Sequence, residues 1–133
     1  MRVPDGLWRS SLGSILDFMS SNGFNSLRLF FSMQNLAENK RTPSHFDEHG
    51  SPQLAGTDYL GMLAAISQEA ARHGIVVLLA NHQIKSGYPD EWPGEWDGNW
   101  FDETYQPERI LELWTKLATR LCNDDLWNIM GVE

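Results

Sequence analysis

Residues 88–103 read Tyr88-Pro89-Asp90-Glu91-Trp92-Pro93-Gly94-Glu95-Trp96-Asp97-Gly98-Asn99-Trp100-Phe101-Asp102-Glu103. Trp92, Trp96 and Trp100 recur every four residues among carboxylates. Such a mixture suits sugars. An indole face covers the C–H face of a pyranose, and carboxylates accept hydrogen bonds from its hydroxyls. The same rings also fit simple packing of a loop onto the body of the protein, and a spacing of four fits one face of a short helix. Asp97, Asn99 and Asp102 offer oxygen ligands to calcium, but their spacing fails the EF-hand pattern.

Arg28 and His82 are the other candidates. Arg28 lies in an alternating run, with Leu27, Leu29 and Phe31 on one face and Ser26, Arg28 and Phe30 on the other. A charge inside a strand is costly unless paired, so a carboxylate partner is expected. A structural ion pair and an outward-facing arginine are the plainer readings. His82 ends the apolar run Ile75-Val76-Val77-Leu78-Leu79-Ala80-Asn81. It suits a ligand contact, a metal ligand or a structural histidine. His45-Phe46-Asp47-Glu48-His49 has a metal-like composition, but short His/Asp clusters in loops are mostly solvated. There is no glycine-rich phosphate loop and no readable Ser-His-Asp set. The single Cys122 cannot form an internal disulfide, and it falls in a helix pattern where a small buried hydrophobe is expected.

The elements that must position these residues alternate in type. Ser10 or Ser11 can cap a helix reaching about Ser21, with Leu12, Ile15, Leu16 and Met19 on one face. Asn22-Gly23 ends it, and a strand comes next over residues 25–31. Residues 32–56 read as a long loop of the kind that is usually functional. Thr57 is expected to cap a helix over 58–72 whose buried face carries Tyr59, Leu63, Ile66 and Ala70. Gly74 closes that helix before the strand 75–81, which is apolar throughout and so expected to be buried on both faces. A second long loop covers 82–105. A third helix over 107–121 opens on Pro107 and carries a stripe of Ile110, Leu113, Trp114, Leu117 and Leu121. The last run, 127–133, is strand-like.

Short helix-to-strand turns alternating with long strand-to-helix loops predict a parallel α/β architecture with its site on the long loops. The chain has 133 residues, whereas a (β/α)₈ barrel needs about 250. It is therefore expected to be a piece of such a barrel, with unpaired edges and apolar faces exposed on its first and last strands. The net charge of −8 argues against nucleic acid and anionic membrane surfaces as partners. No apolar run approaches the ~20 residues of a membrane-spanning helix.

The ordered set Gly6-Leu7-Trp8, Gly23-Phe24-Asn25-Ser26-Leu27-Arg28-Leu29, Pro52-Gln53-Leu54-Ala55-Gly56-Thr57, Asn81-His82, Trp100-Phe101, Trp114 and Met130-Gly131 resembles glycoside hydrolase family 5, and within it the secreted endo-β-1,4-glucanases. The resemblance covers nearly the whole chain. It implies a partial TIM (β/α)₈ barrel, roughly the second to fourth strand units, with residues 1–133 forming the N-terminal part of a catalytic domain. It further implies retaining hydrolysis of β-glucan. The arginine matching Arg28 would orient the nucleophile, and Asn81, His82, Trp100 and Phe101 would contact substrate. No cofactor and no metal are implied, and secretion is implied because polymer substrates lie outside cells. Both catalytic glutamates would lie outside these residues, the acid/base in an Asn-Glu-Pro run a few positions past Glu133. The chain alone is then expected to be inactive. Glu133 matches a non-catalytic acidic position. Ala80 stands where the family often has Asp, Phe30 where Pro is common, and Phe101 where Tyr is common. Two other readings remain open: a non-catalytic carbohydrate-binding protein on the same scaffold, and a metal-dependent hydrolase using His45, Asp47, His49 or His82.

Overall fold

The computed structural model describes residue 4 and residues 6–42, 50–86 and 99–133. The first helix, α1 (Leu12–Ser21), starts where Ser11 accepts a hydrogen bond from the Ser14 N–H at 3.1 Å. Its end is set by backbone chemistry. Gly23 takes φ +81°, which lets Phe24 N–H reach back to the Met19 carbonyl and Gly23 N–H to the Ser20 carbonyl. This double closure satisfies carbonyls that the helix leaves open and aims the chain into strand β1 (Ser26–Ser32). The helix that ends at Arg72 closes in the same way: Gly74 at φ +69° lets Ile75 N–H bond to the Ala70 carbonyl.

The expected long loop at 32–56 begins instead with a six-residue helix, α2 (Met33–Glu38). Ser32 is at once the last residue of β1 and the cap of α2, its hydroxyl accepting from Asn35 N–H. Six residues are too few to display a 3.6-residue period, so the pattern carries no sign of it. A short 3₁₀ turn lies at Pro52–Leu54. Helix α3 (Tyr59–Arg72) is capped by Asp58 rather than by Thr57. Asp58 Oδ1 accepts from Gly61 N–H at 2.6 Å, while the Thr57 hydroxyl donates to the Leu54 carbonyl of the preceding turn. The buried face of α3 is wider than predicted, taking in Leu60, Met62 and Ser67 as well, because α1, α2 and the helix over 107–121 all pack against it.

Strand β2 (Val76–Gln83) runs past its expected end and so includes His82. Helix α4 (Pro107–Leu121) has the expected bounds and buries Ile110, Leu113, Leu117 and Leu121. Cys122 is exposed, not buried as predicted. It lies one residue beyond the helix, where the apolar stripe no longer dictates direction. A 3₁₀ turn at Asp124–Leu126 leads to strand β3 (Ile129–Val132).

The three strands form one parallel sheet in the order β1-β2-β3. Leu29, Phe31, Val77 and Leu79 point to one side and join the helices in a single core with Leu16, Leu63, Ile66, Leu113 and Leu117. Buried Asn128 ties the layers together, its Nδ2 donating to the carbonyls of Ser67 and Ile75 at 2.9 Å each. The other side of the sheet carries Arg28, Phe30 and His82 and is open; Met130 on β3 is also exposed. β2 is thus buried on both faces only at Ala80, while Leu78 is half-buried and His82 exposed.

Tyr59 is fully buried where α3 meets α2. Burial pushes its phenol from the ordinary value of 10 up to about 12, against weaker opposing help from the Asn35 side chain and Ser32 backbone. Below pH 10 both folded and unfolded chains keep this proton. Between pH 10 and 12 only the unfolded chain loses it, so stability falls as pH rises, by about 3 kcal/mol in all. Urea titrations across this range should show a shallower alkaline loss for Tyr59→Phe. An identical slope in the variant would assign the loss to other groups.

Candidate functional site

On the open face, strand register decides which side chains meet. Leu27 pairs with Val77, Arg28 with Leu78, Leu29 with Leu79, Phe30 with Ala80 and Phe31 with Asn81. Alternation puts Arg28, Phe30, Ala80 and His82 on the open side. It puts Asn81 with Phe31 on the helix side, where Asn81 Oδ1 is buried without a hydrogen-bond partner and Phe31 meets Trp114 edge-on. Asn81 and His82 are therefore neighbours in sequence that serve opposite sides of the sheet. The register then breaks: Ser32 pairs with Gln83, leaving His82 as the extra residue of a β-bulge. Bulges bend the strand and re-aim side chains, and they are over-represented beside active sites.

Three aromatic and cationic groups converge here. The Phe30 and His82 rings stack with centroids 4.4 Å apart and planes at 30°. The Arg28 guanidinium carbon lies 4.8 Å from the Phe30 centroid. Arg28 also donates through Nε and Nη2 to one carboxylate oxygen of Glu133. Glu133 continues the β3 ladder, with its N–H on the Leu79 carbonyl and its C=O accepting from Asn81 N–H. To reach it, Arg28 passes over β2, where Ala80 is fully buried between Phe30 and Glu133.

The carboxylate partner expected of Arg28 is thus found at Glu133, a residue that the resemblance marks only as a non-catalytic acidic position. Phe30 likewise carries no functional signal in the sequence. The period-two pattern puts Arg28 and Phe30 on one face, but the distance to Glu133 depends on strand pairing across 105 residues of chain. Trp100 is 56% exposed and meets Phe101 edge-on at 5.4 Å, while Phe101 packs partly into the core. Asp102, a candidate calcium ligand by residue type, accepts from the N–H groups of Thr104 and Tyr105 at 2.8 and 2.6 Å and so shapes the approach to α4. Trp92, Trp96 and Asp97, with His45, Asp47 and His49, lie outside the described residues. Among the described residues no group of three or more His, Cys, Asp or Glu is arranged to hold a metal ion. No helix among them is long and apolar enough to cross a membrane.

The Arg28–Glu133 pair is about half exposed, so water screens it. Glu133→Gln is expected to cost less than about 1 kcal/mol of stability in a denaturant titration. A loss of about 3 kcal/mol or more, the figure for breaking a buried pair, would show that the pair is held in a dry interior instead.

Comparison with known proteins fits this geometry. The family described as Cellulase (glycosyl hydrolase family 5) matches residues 5–131. An endoglucanase of Paenibacillus polymyxa is 29% identical over 120 residues, which is 90% of this chain and 28% of that protein. An endocellulase from Pyrococcus horikoshii, solved as a complex with cellotetraose, superposes with a TM-score of 0.80 at 28% identity, over 98% of this chain and 32% of that one. The catalytic domain of the major endoglucanase of Xanthomonas campestris pv. campestris gives a TM-score of 0.74 at 22% identity, over 97% of this chain and 34% of that one, a likeness of fold alone. The chain thus spans less than a third of the Paenibacillus enzyme's length, and its parallel sheet with helices on one side is a sector of a TIM barrel. With the match running through all three strands and the loops between them, the chain belongs to glycosyl hydrolase family 5, the cellulase family.

Proposed function

We propose that the chain supplies the second to fourth strand units of a catalytic domain that hydrolyses β-glucan with retention of configuration. The observation that carries this reading is the assembly of Arg28 and His82, through Phe30, on the open face of the sheet. That face corresponds to the inside of a barrel. Retention needs two carboxylates about 5–5.5 Å apart, one as acid/base and one as nucleophile. In this reading both come from strands beyond the three described, consistent with a chain that spans about a third of its structural relatives.

Glu133 occupies Nε and Nη2 of Arg28, so the Nη1 edge is the one offered to the nucleophile. A guanidinium there favours the ionised carboxylate and fixes its direction. His82 and the Trp100–Phe101 pair line the subsite of the cleaved sugar, and Asn81 supports the strand end from the helix side. Trp100 offers an open ring face of the kind that packs on a pyranose. Cellotetraose bound to the Pyrococcus endocellulase supports a β-1,4-linked oligosaccharide as ligand. Secretion is the natural consequence of a polymeric substrate.

The deciding experiment is to read the transcript past Glu133 and to assay the chain with and without the downstream segment. Expected are an Asn-Glu-Pro run within about ten codons, β-glucanase activity in the extended protein, and none in the 133 residues alone. A stop codon directly after Glu133 would overturn the hydrolase reading and favour a sugar-binding role for the exposed Trp100.

Two substitutions probe the site in the extended protein. Arg28→Ala is expected to lower kcat about a hundredfold with little change in KM, because its help is felt in the transition state. A variant that loses only stability would make Arg28 structural. Trp100→Ala should weaken saturation by oligosaccharide roughly threefold to tenfold, the worth of one ring contact of ~1 kcal/mol. Unchanged binding would make that ring a packing element.

A further inference from the structure

Phe30 is 45% exposed on the open face of the sheet. Burial alone therefore does not account for a large ring there. Its contacts do. On one strand it takes the Arg28 guanidinium, and across to the next it takes the His82 imidazole. Both geometries are the attractive ones for an aromatic ring: a cation within about 6 Å of the centroid, and a stacked ring with centroids about 4.5 Å apart.

His82 depends on such a contact more than an ordinary strand residue would. It is the extra residue of the bulge, with Asn81 and Gln83 taking the register partners on either side of it. Without a residue opposite, its side-chain direction is not dictated by a cross-strand neighbour. Among the described residues, the ring stacked on it is that of Phe30. Arg28 has a long, many-rotamer side chain whose ordering costs up to about 2 kcal/mol of entropy. Glu133 fixes its tip, and Phe30 fixes the plane behind the tip.

We propose that Phe30 is the positioning residue of this site, setting the plane of the His82 imidazole and the stance of the Arg28 guanidinium on the sugar-facing side. Its functional consequence rests on the hydrolase reading; the placement itself rests on the stack. Phe30 touches no reacting atom and acts through the two residues that it orients.

The test is nuclear magnetic resonance on the chain with ¹³C-labelled histidine. The four histidines give separate ring-proton signals. A phenyl face against His82 shifts its ring protons upfield of a free imidazole. Phe30→Leu, which keeps much of the volume but has no ring current, abolishes that shift, and Phe30→Tyr restores it. The Arg28 Nε–H signal should broaden toward solvent exchange in the Leu variant and sharpen again in the Tyr variant. His82 signals at free-imidazole positions in the unmodified chain would overturn the proposal even if the Leu variant failed to fold. So would signals that Phe30→Leu leaves in place. An upfield shift in a chain whose extended form neither binds nor cleaves β-glucan supports the placement and sinks the hydrolase reading alone.

Discussion

Everything at the site hangs from the way β2 is held. It is the central strand, with β1 on one edge and β3 on the other. Its backbone groups are shared between them: Val77 N–H goes to the Asn128 carbonyl, Asn81 N–H to the Glu133 carbonyl, and Val76 N–H to the Asn25 carbonyl. A strand paired on both edges cannot slide by one residue without turning Val77 and Leu79 out of the core and breaking two ladders at once. That lock sets Glu133, at the end of β3, two residues further along than Arg28 of β1, within reach of the long arginine side chain. The two outer strands are not paired with each other, so their charges meet only because β2 spaces them.

Between the two outer strands, β2 carries its smallest residue, Ala80, opposite Phe30, and Ala80 is fully buried there. The ion pair contributes little to stability, because it is half exposed. Its value is geometric. A flexible side chain, held at its tip by a carboxylate and behind it by a ring, presents a charge in one direction. For the nucleophile-orienting role proposed for Arg28, that direction matters more than the energy of the pair.

The fold serves many chemistries, so architecture alone would not identify one. Here the family match and the open-face assembly point the same way. The strands present Arg28, Phe30 and His82 on the side that a complete barrel would enclose, while the helices and the Asn128 tie keep the opposite side packed. The same arrangement explains why the described sector exposes Phe30 and Met130. Phe30 stands on the open face of the sheet, and Met130 on its outer strand β3.

Much of this is readable one element at a time. Leu12, Leu16 and the stripe from Ile110 to Leu121 declare their helices through the 3.6-residue period, and Gly23 and Gly74 mark where helices yield to strands. The alternation around Arg28 and the apolar run ending at His82 declare β1 and β2, and the ordered motifs declare the family. Other features escape. Helix α2 is too short to show a period. Asp58 displaces Thr57 as a cap because Thr57 is already bonded to Leu54, a contact made through the fold of the turn. The bulge at His82, the ring of Phe30 stacked on it and the carboxylate of Glu133 beside Arg28 are invisible for a common reason. Periodicity is a property of a single segment, so the chain states which way each side chain faces. Register is a property of two segments summed over all their hydrogen bonds and core contacts, so it is settled only when the strands lie side by side.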